Sequence, residues 1–325
     1  MVEALVKFVA EDQPLIVIAG PTASGKTALA LHLAEQFDGE IVSCDSVAVY
    51  REMEIGTAKP SHDERARAPH HMIDIVWPDE AYTAGDYSHQ AREALTGITG
   101  RRRLPIVAGG TGLYLRALVD GLSPAPPRQQ GLRDRLRQRI EKLGPEHGPK
   151  HLHRVLTRLD RVAATAIHEN DIPKAIRAIE VSLAARRPLT EQWKMGRDVL
   201  TGYSILRLGL APPRERLYER INQRAAEMFD RGLVEETERL LERYGDACRA
   251  LGSLGYAEAA AVVRGETSRE EAVLKAQQGH RNYAKRQGTW FRREREMHWL
   301  HGCGGDEEIM RQASELVTRH LRKRE

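Results

Sequence analysis

Along the chain, short apolar runs bounded by glycine alternate with long charged segments in which apolar residues recur every three or four positions. Leu15-Ile-Val-Ile-Ala19 is a short, unbroken apolar run and predicts a buried strand. Leu29, Leu33 and Phe37, with Ala30 and Ala34 beside them, then recur at helical spacing. Glu40-Ile-Val-Ser-Cys44, His70-His71-Met-Ile-Asp74-Ile75 and Leu104-Pro-Ile-Val-Ala108 are three further strand candidates. Past Gly121 the character changes. Ser123-Pro-Ala-Pro-Pro127 is a stiff linker signal, and residues 130–200 are helical in pattern, charged, and without a convincing strand. Ser204-Ile-Leu-Arg-Leu-Gly-Leu210 returns to strand, helices follow over Arg214 to Met228 and Gly232 to Arg243, and Glu296-Met-His-Trp-Leu300 is a last strand candidate. The pattern predicts an α/β protein. A core domain with a parallel sheet flanked by helices spans residues 1–121 and 202–325, and an all-helical domain is inserted over 122–201.

Gly20-Pro-Thr-Ala-Ser-Gly-Lys-Thr27 sits between the first strand and the first helix and fits G-x-x-x-x-G-K-[ST], the phosphate-binding P-loop. Glycines there let successive backbone N–H groups turn toward an anion, and the helix N-terminus adds its positive dipole end. Lys26 brings a full charge to phosphate oxygens, and the Thr27 hydroxyl is placed to hold Mg²⁺. The loop alone does not say which phosphate is bound.

Composition narrows the class. The chain has 325 residues, 41% hydrophobic and 30% charged, as in an ordinary globular protein with room for one large core and a smaller domain. Its formal net charge of +4 favours a polyanionic partner only if the charge is clustered. Cys44, Cys248 and Cys303 are far apart and odd in number, which argues against a disulfide framework or zinc finger and for a reducing compartment. No apolar run reaches membrane-spanning length, and Met1 to Gln13 has no signal-peptide core. The expected location is cytoplasmic.

Three further stretches carry candidate chemistry. Asp45 follows a strand end on the rim where such sheets bind ligands, so it is a candidate base or Mg²⁺ partner; a turn aspartate is the plainer alternative. Gly109-Gly-Thr111-Gly-Leu-Tyr114 is either a second ligand loop on that rim or simply a tight strand-to-helix turn. Six of residues 280–295 are Lys or Arg, interleaved with Tyr283, Trp290 and Phe291, a combination suited to single-stranded RNA or to an ordinary solvated helix face. His70 and His71 are adjacent on a strand and point to opposite faces, a poor pair for one metal ion. On the P-loop alone, the default activity is a small-molecule kinase, and a non-catalytic RNA-binding module is a second alternative.

In chain order, the P-loop, Asp45-Ser46 with Tyr50, Ile55-Gly-Thr-Ala-Lys-Pro60, Pro69-His-His-Met-Ile-Asp74, Gly109-Gly-Thr-Gly-Leu-Tyr114, Asn170-Asp171 with Arg177-Ala-Ile-Glu180, and Tyr283-Ala-Lys-Arg-Gln-Gly-Thr-Trp-Phe-Arg292 resemble the tRNA dimethylallyltransferases, also called tRNA isopentenyltransferases. The resemblance runs from about residue 15 to 300 and is nearest the bacterial form, since no C-terminal zinc finger is present. It implies a prenyl transfer from dimethylallyl diphosphate to N6 of the adenosine 3′ of a tRNA anticodon, giving N6-isopentenyladenosine and pyrophosphate. It implies that Gly20, Pro21, Thr22, Ala23, Ser24, Gly25, Lys26 and Thr27 grip the diphosphate, that Arg224 reaches the same group, and that Asp45 is the base. It implies tRNA contacts at Asp45, Ser46, Val47, Ala48 and Thr111, and at Arg133. Further contacts fall on Pro173, Lys174, Ala175, Ile176 and Arg177 and on Gly252, Ser253, Leu254, Gly255, Tyr256 and Ala257. The last set is Lys285, Arg286, Gln287, Thr289, Trp290, Phe291 and Arg292. The substrates are expected in a channel through the core domain, the inserted domain on the anticodon stem-loop, Mg²⁺ as cofactor, and a monomer. Two departures stand out: Val47-Ala48 replaces a common Met-Gln pair, and Lys174 replaces an arginine, with Pro173 beside it a candidate helix breaker.

Overall fold

The computed structural model describes residues 12–322. The stretch Met1 to Gln13 therefore lies almost wholly outside the described residues. In chain order the elements are β1 (Gln13–Ala19), α1 (Lys26–Gln36), β2 (Gly39–Cys44), α2 (His62–Arg67), β3 (His70–His71), α3 (Ala84–Gly100), β4 (Leu104–Gly109) and α4 (Gly112–Val119). Four helices follow, α5 (Gln130–Leu159), α6 (Arg161–Ala166), α7 (Ile172–Ala185) and α8 (Leu189–Trp193). Then come β5 (Tyr203–Leu210), α9 (Arg214–Asp230), α10 (Leu233–Tyr244), α11 (Tyr256–Val263), α12 (Arg269–Phe291), β6 (Met297–Leu300) and α13 (Glu307–Arg322).

The six strands form one sheet in the order β3-β2-β4-β1-β5-β6, and every pairing is parallel. A strand with helices over both of its faces has to be apolar on both. β1, in the middle, meets that demand: Leu15 to Ala19 are all at most 1% exposed. Alternate residues divide between two cores. Ile16, Ile18, Ile41, Ile106 and Leu208 pack with Leu29 and Leu33 of α1 and Ala313 and Val317 of α13. Leu15, Val17, Val42 and Val107 pack on the other face with Leu95 and Ile98 of α3 and Leu115 and Leu118 of α4. A third core gathers Phe229, Leu233, Leu240 and Tyr256 from α9, α10 and α11 around Met53.

The strand expected over residues 70–75 shrinks to His70–His71. Met72 and Asp74 take left-handed backbone angles, φ 64° and 55°, which end the extended run. His71 Nε2 bonds Glu40 at 2.7 Å, and His70 Nδ1 bonds the Ala68 carbonyl at 2.8 Å. Cys44, Cys248 and Cys303 are free and buried.

The described chain divides into two compact units, Asp120–Val199 and the flanking segments that end at Val119 and resume at Leu200. Within Asp120–Val199 all regular structure is helical. α5 changes direction at Gly144, where φ is 75° and Pro145 follows. Leu152, Leu156, Ala163, Ile176 and Ile179 form the unit's core. Pro173 does not break α7. It sits in the first turn, where no intrahelical N–H is needed, behind Asp171, whose side chain caps the Lys174 N–H.

Candidate active site

The glycine loop after β1 takes the shape its sequence demands. Gly25 adopts φ 88° and caps α1, and a Cβ there would stand 2.7 Å from the Gly304 amide nitrogen, so glycine is required twice over. The loop is braced from outside its own sequence. Gly304 N–H donates to the Ser24 carbonyl at 2.8 Å, and Arg220 Nε donates to the Ala23 carbonyl at 2.9 Å. Arg224, one helical turn beyond Arg220 on α9, donates to the Thr22 hydroxyl. The Thr22 N–H donates to Gln287 Oε1 at 2.8 Å.

At the end of β2, Asp45 Oδ1 accepts from the Val47 and Ala48 N–H groups at 2.9 and 3.3 Å. Asp45 is therefore a turn aspartate and a cavity residue at once. The turn after β4 crosses close by. Thr111 N–H donates to the Cys44 carbonyl at 3.2 Å, and the Thr111 hydroxyl accepts from the Ser46 N–H at 3.0 Å. Gly109 allows this approach, since a Cβ there would lie 2.0 Å from the Cys44 carbonyl oxygen. The Gly109–Thr111 stretch is thus both a tight turn and part of the site.

Thr22, Lys26, Thr27, Asp45, Arg224 and Tyr283 line one cavity of about 120 Å³, together with small apolar groups that include Ala30, Ala48, Ala58 and Ala108. Beside the loop a wider opening of about 420 Å³ is lined by Gly25, Lys26, Thr27, Arg220 and Arg224. Two cations, Lys26 and Arg224, thus share a confined space with the Asp45 carboxylate. Burial first, and then the charge of Arg224, push the Lys26 ammonium down to about 8, with Asp45 pulling the other way. Lys26 Nζ meanwhile rests on the Pro21 carbonyl at 2.7 Å. Burial likewise pushes Arg224 below its ordinary value. Such a pair favours a multiply charged anion between them. Among the described residues no group of three His, Cys, Asp or Glu side chains could hold a metal ion. Oxygen donors near an ion at Thr27 include its own hydroxyl and, in the same cavity, the Asp45 carboxylate.

Residues 48–294 match the family described as IPP transferase, and residues 13–72 match the one described as isopentenyl transferase. The tRNA dimethylallyltransferase of Koribacter versatilis is 59% identical over 306 residues, which cover 94% of this chain and 98% of that protein. The chain belongs to the IPP transferase family. Its likeness extends to the tRNA dimethylallyltransferase of Solibacter usitatus, 50% identical over 95% of this chain and 99% of that protein. Among solved structures, the tRNA isopentenylpyrophosphate transferase of Staphylococcus epidermidis matches with a TM-score of 0.67 at 36% identity, covering 96% of this chain and all of that one. A eukaryotic dimethylallyltransferase acting on tRNA matches with a TM-score of 0.80 at 25% identity, over 96% of this chain and 80% of that one.

In this IPP transferase the expected RNA-contacting residues separate by burial. Along α12, Ala284, Gln287 and Phe291 face inward, while Lys285, Arg286, Thr289 and Arg292 are exposed. Phe291 is 1% exposed and belongs to the core, which removes it as a base-stacking surface. Trp290 lies against Gly112 on one side and carries the Arg116 guanidinium 4.4 Å from its ring centroid, so its ring is also largely engaged. Pro173 and Lys174 are exposed, Arg177 is half-buried, and Ala175 and Ile176 are core. Gly252 and Ala257 are exposed, Ser253 and Leu254 half-buried, and Gly255 and Tyr256 buried, with the Tyr256 hydroxyl donating to Glu236 at 2.6 Å.

Arg133, an expected RNA contact, is buried, and its Nε and Nη2 hold both oxygens of Glu180 at 2.9 and 3.0 Å inside the helical unit. Sequence reasoning also missed Arg220 and Gly304 as braces of the phosphate loop. Arg220 donates from its side chain and Gly304 from its backbone N–H, each to a loop carbonyl roughly 200 or more positions away, which no residue spacing announces.

Proposed function

We propose that this IPP transferase moves a dimethylallyl group from dimethylallyl diphosphate to N6 of the adenosine 3′ of a tRNA anticodon. The observation that carries the reading is the single cavity in which Asp45 faces the cationic end formed by Lys26, Thr27 and Arg224. The allylic C1–O bond breaks, the C1–N6 bond forms, N6 loses a proton to the Asp45 carboxylate, and pyrophosphate leaves. An adenine amine is a weak nucleophile because its lone pair is delocalised, so a base and a stabilised leaving group are both needed. Lys26 and Arg224 neutralise charge on the departing diphosphate, and the Thr22 hydroxyl adds a hydrogen bond. Thr27 and the diphosphate oxygens would hold Mg²⁺, which suits an ion that binds through few protein oxygens and substrate phosphates, and which supplies further charge neutralisation when bound. The small apolar groups beside the loop, among them Ala30 and Ala108, leave room for a short prenyl chain.

The acceptor base must leave its stack to enter a cavity of this size. Exposed Lys285, Arg286 and Arg292 on α12 supply positive charge for the RNA backbone. A tRNA substrate puts the reaction in the cytoplasm, and one chain provides every group named, which fits a monomer. No helix among the described residues is long and apolar enough to cross a membrane.

The deciding experiment is transfer of labelled dimethylallyl from its diphosphate to unmodified tRNA, with Mg²⁺ and without ATP. Label in the adenosine beside the anticodon is the expected result. No transfer, with ATP-dependent phosphorylation of a small acceptor instead, would return the P-loop to a kinase.

A further inference from the structure

We propose that Gln287 is a positioning residue, a bracket that fixes the distance between the phosphate loop and the turn after β4. The proposal rests on the transferase reading, since these two segments carry the diphosphate and the acceptor base in it. Gln287 is 5% exposed, on the inward face of α12. Its Oε1 accepts from the Thr22 N–H at 2.8 Å, and its Nε2 donates to the Gly110 carbonyl at 2.9 Å. A carboxylate could accept from Thr22 but not donate to Gly110, and a cation could donate but not accept. An amide satisfies both partners at once, and the two bonds fix its orientation. Space is fixed as tightly: a Cβ on Gly110 would stand 2.1 Å from Nε2 and 3.3 Å from the Gly20 carbonyl oxygen.

The bracket continues on both sides. Thr22 also bonds Arg224 through its hydroxyl. Gly110 leads into Thr111, which bonds Ser46 next to Asp45. Gln287 therefore joins the group that holds the leaving diphosphate to the group that receives the N6 proton. An allylic displacement is sensitive to that spacing, because a misplacement of about 1 Å costs on the order of 10²-fold in rate. This assignment differs from a direct RNA contact: Gln287 also lines the cavity, but both ends of its amide are engaged, by the Thr22 N–H and the Gly110 carbonyl.

The test uses the full chain with Gln287→Leu and Gln287→Glu. Gln287→Leu leaves the Thr22 N–H and the Gly110 carbonyl without partners. Its single-turnover transfer rate at saturating substrates should fall about 10²-fold, while RNA affinity stays within about twofold of wild type. Gln287→Glu keeps the size of the side chain and the acceptor for Thr22, loses the donor to Gly110, and adds a negative charge beside the anion site. It should weaken inorganic pyrophosphate binding more than Gln287→Leu does. A large loss of RNA affinity with an unchanged saturated rate would overturn the bracket and make Gln287 an RNA contact.

A third measurement needs no variant. In the wild-type chain, saturating inorganic pyrophosphate should slow amide exchange at residues 109–112 along with the phosphate loop. Unchanged exchange at 109–112 would also overturn the proposal. The pyrophosphate measurements involve no prenyl transfer, so they stand even where wild type transfers nothing to tRNA and the proposed activity fails.

Discussion

Asp45 performs two tasks at once, and a single substitution can separate them. Its Oδ1 caps the turn at Val47 and Ala48, a task that a neutral amide oxygen performs equally well. Asp45→Asn should therefore keep the fold and RNA affinity while slowing single-turnover transfer by about 10²–10⁴-fold, the usual worth of a general base. A rate near wild type would remove Asp45 from the proton transfer. Lys26 gives a pH dependence whose sign follows from its surroundings. Its pKa is lowered from 10.5 to about 8 in the folded chain, so it costs stability below pH 8, and the cost fades as pH rises toward 10.5. A bound diphosphate favours the charged form and takes up a proton. Pyrophosphate affinity should fall as pH rises above 8, by up to about tenfold per pH unit, in calorimetric titrations. An affinity that does not fall above pH 8 would mean that Lys26 does not supply this charge. Lys26, Thr27 and Asp45 could be picked out in the sequence because a phosphate loop fixes its residues by spacing and a strand end marks the rim. Arg224 and Gln287 had no such local mark. Each acquires its partner only when α9 or α12 packs against the loop.

Strand and helix types in the core followed from hydrophobic pattern, because β1 and β4 are buried on both faces and read as unbroken apolar runs. Pattern failed where backbone angles decide. Residues 72–75 carry strand-like side chains, yet left-handed turns at Met72 and Asp74 stop the strand after His71. It failed again where a charge is buried. Arg133 on α5 is expected at the RNA, but Glu180 of α7, 47 positions on, closes over it. Burial alone would raise the Glu180 carboxyl; bonds from Arg133, Arg177 and the Gln129 N–H bring it down to about 2. This contribution to stability is present above the ordinary glutamate range and is lost as pH falls through it toward 2. Arg133→Ala removes one of the two guanidinium partners of a buried carboxylate, Arg177 remaining, and should destabilise the helical unit by about 1.5–3 kcal/mol in chemical denaturation. A change below about 1 kcal/mol, with RNA affinity reduced instead, would return Arg133 to the role of an RNA contact.

At the level of the whole molecule, the question is how a chain with a net charge of only +4 attracts a polyanion. The answer lies in distribution. The inward face of α12 spends its polar groups on the phosphate loop and its apolar groups on the core, leaving Lys285, Arg286, Arg292 and Arg293 together in solvent. Arg116 near Trp290 is partly neutralised by Glu294 at 2.8 Å, so these exposed cations, with Arg295 beside them, carry the field there. Association driven by such charges depends on counterion release, and each phosphate contact adds about 0.7–0.9 to the slope of log affinity against log salt. Replacing both Lys285 and Arg286 by alanine should therefore lower that slope by about 1.4–1.8 and weaken RNA binding most at low salt. Because neither side chain touches the cavity, the transfer rate at saturating RNA should stay close to wild type, so the defect appears in KM for RNA and not in kcat. An unchanged salt slope would mean that these side chains merely solvate the helix. A kcat loss with unchanged RNA affinity would mean that the outer face of α12 acts on the chemistry through the same helix that carries Gln287.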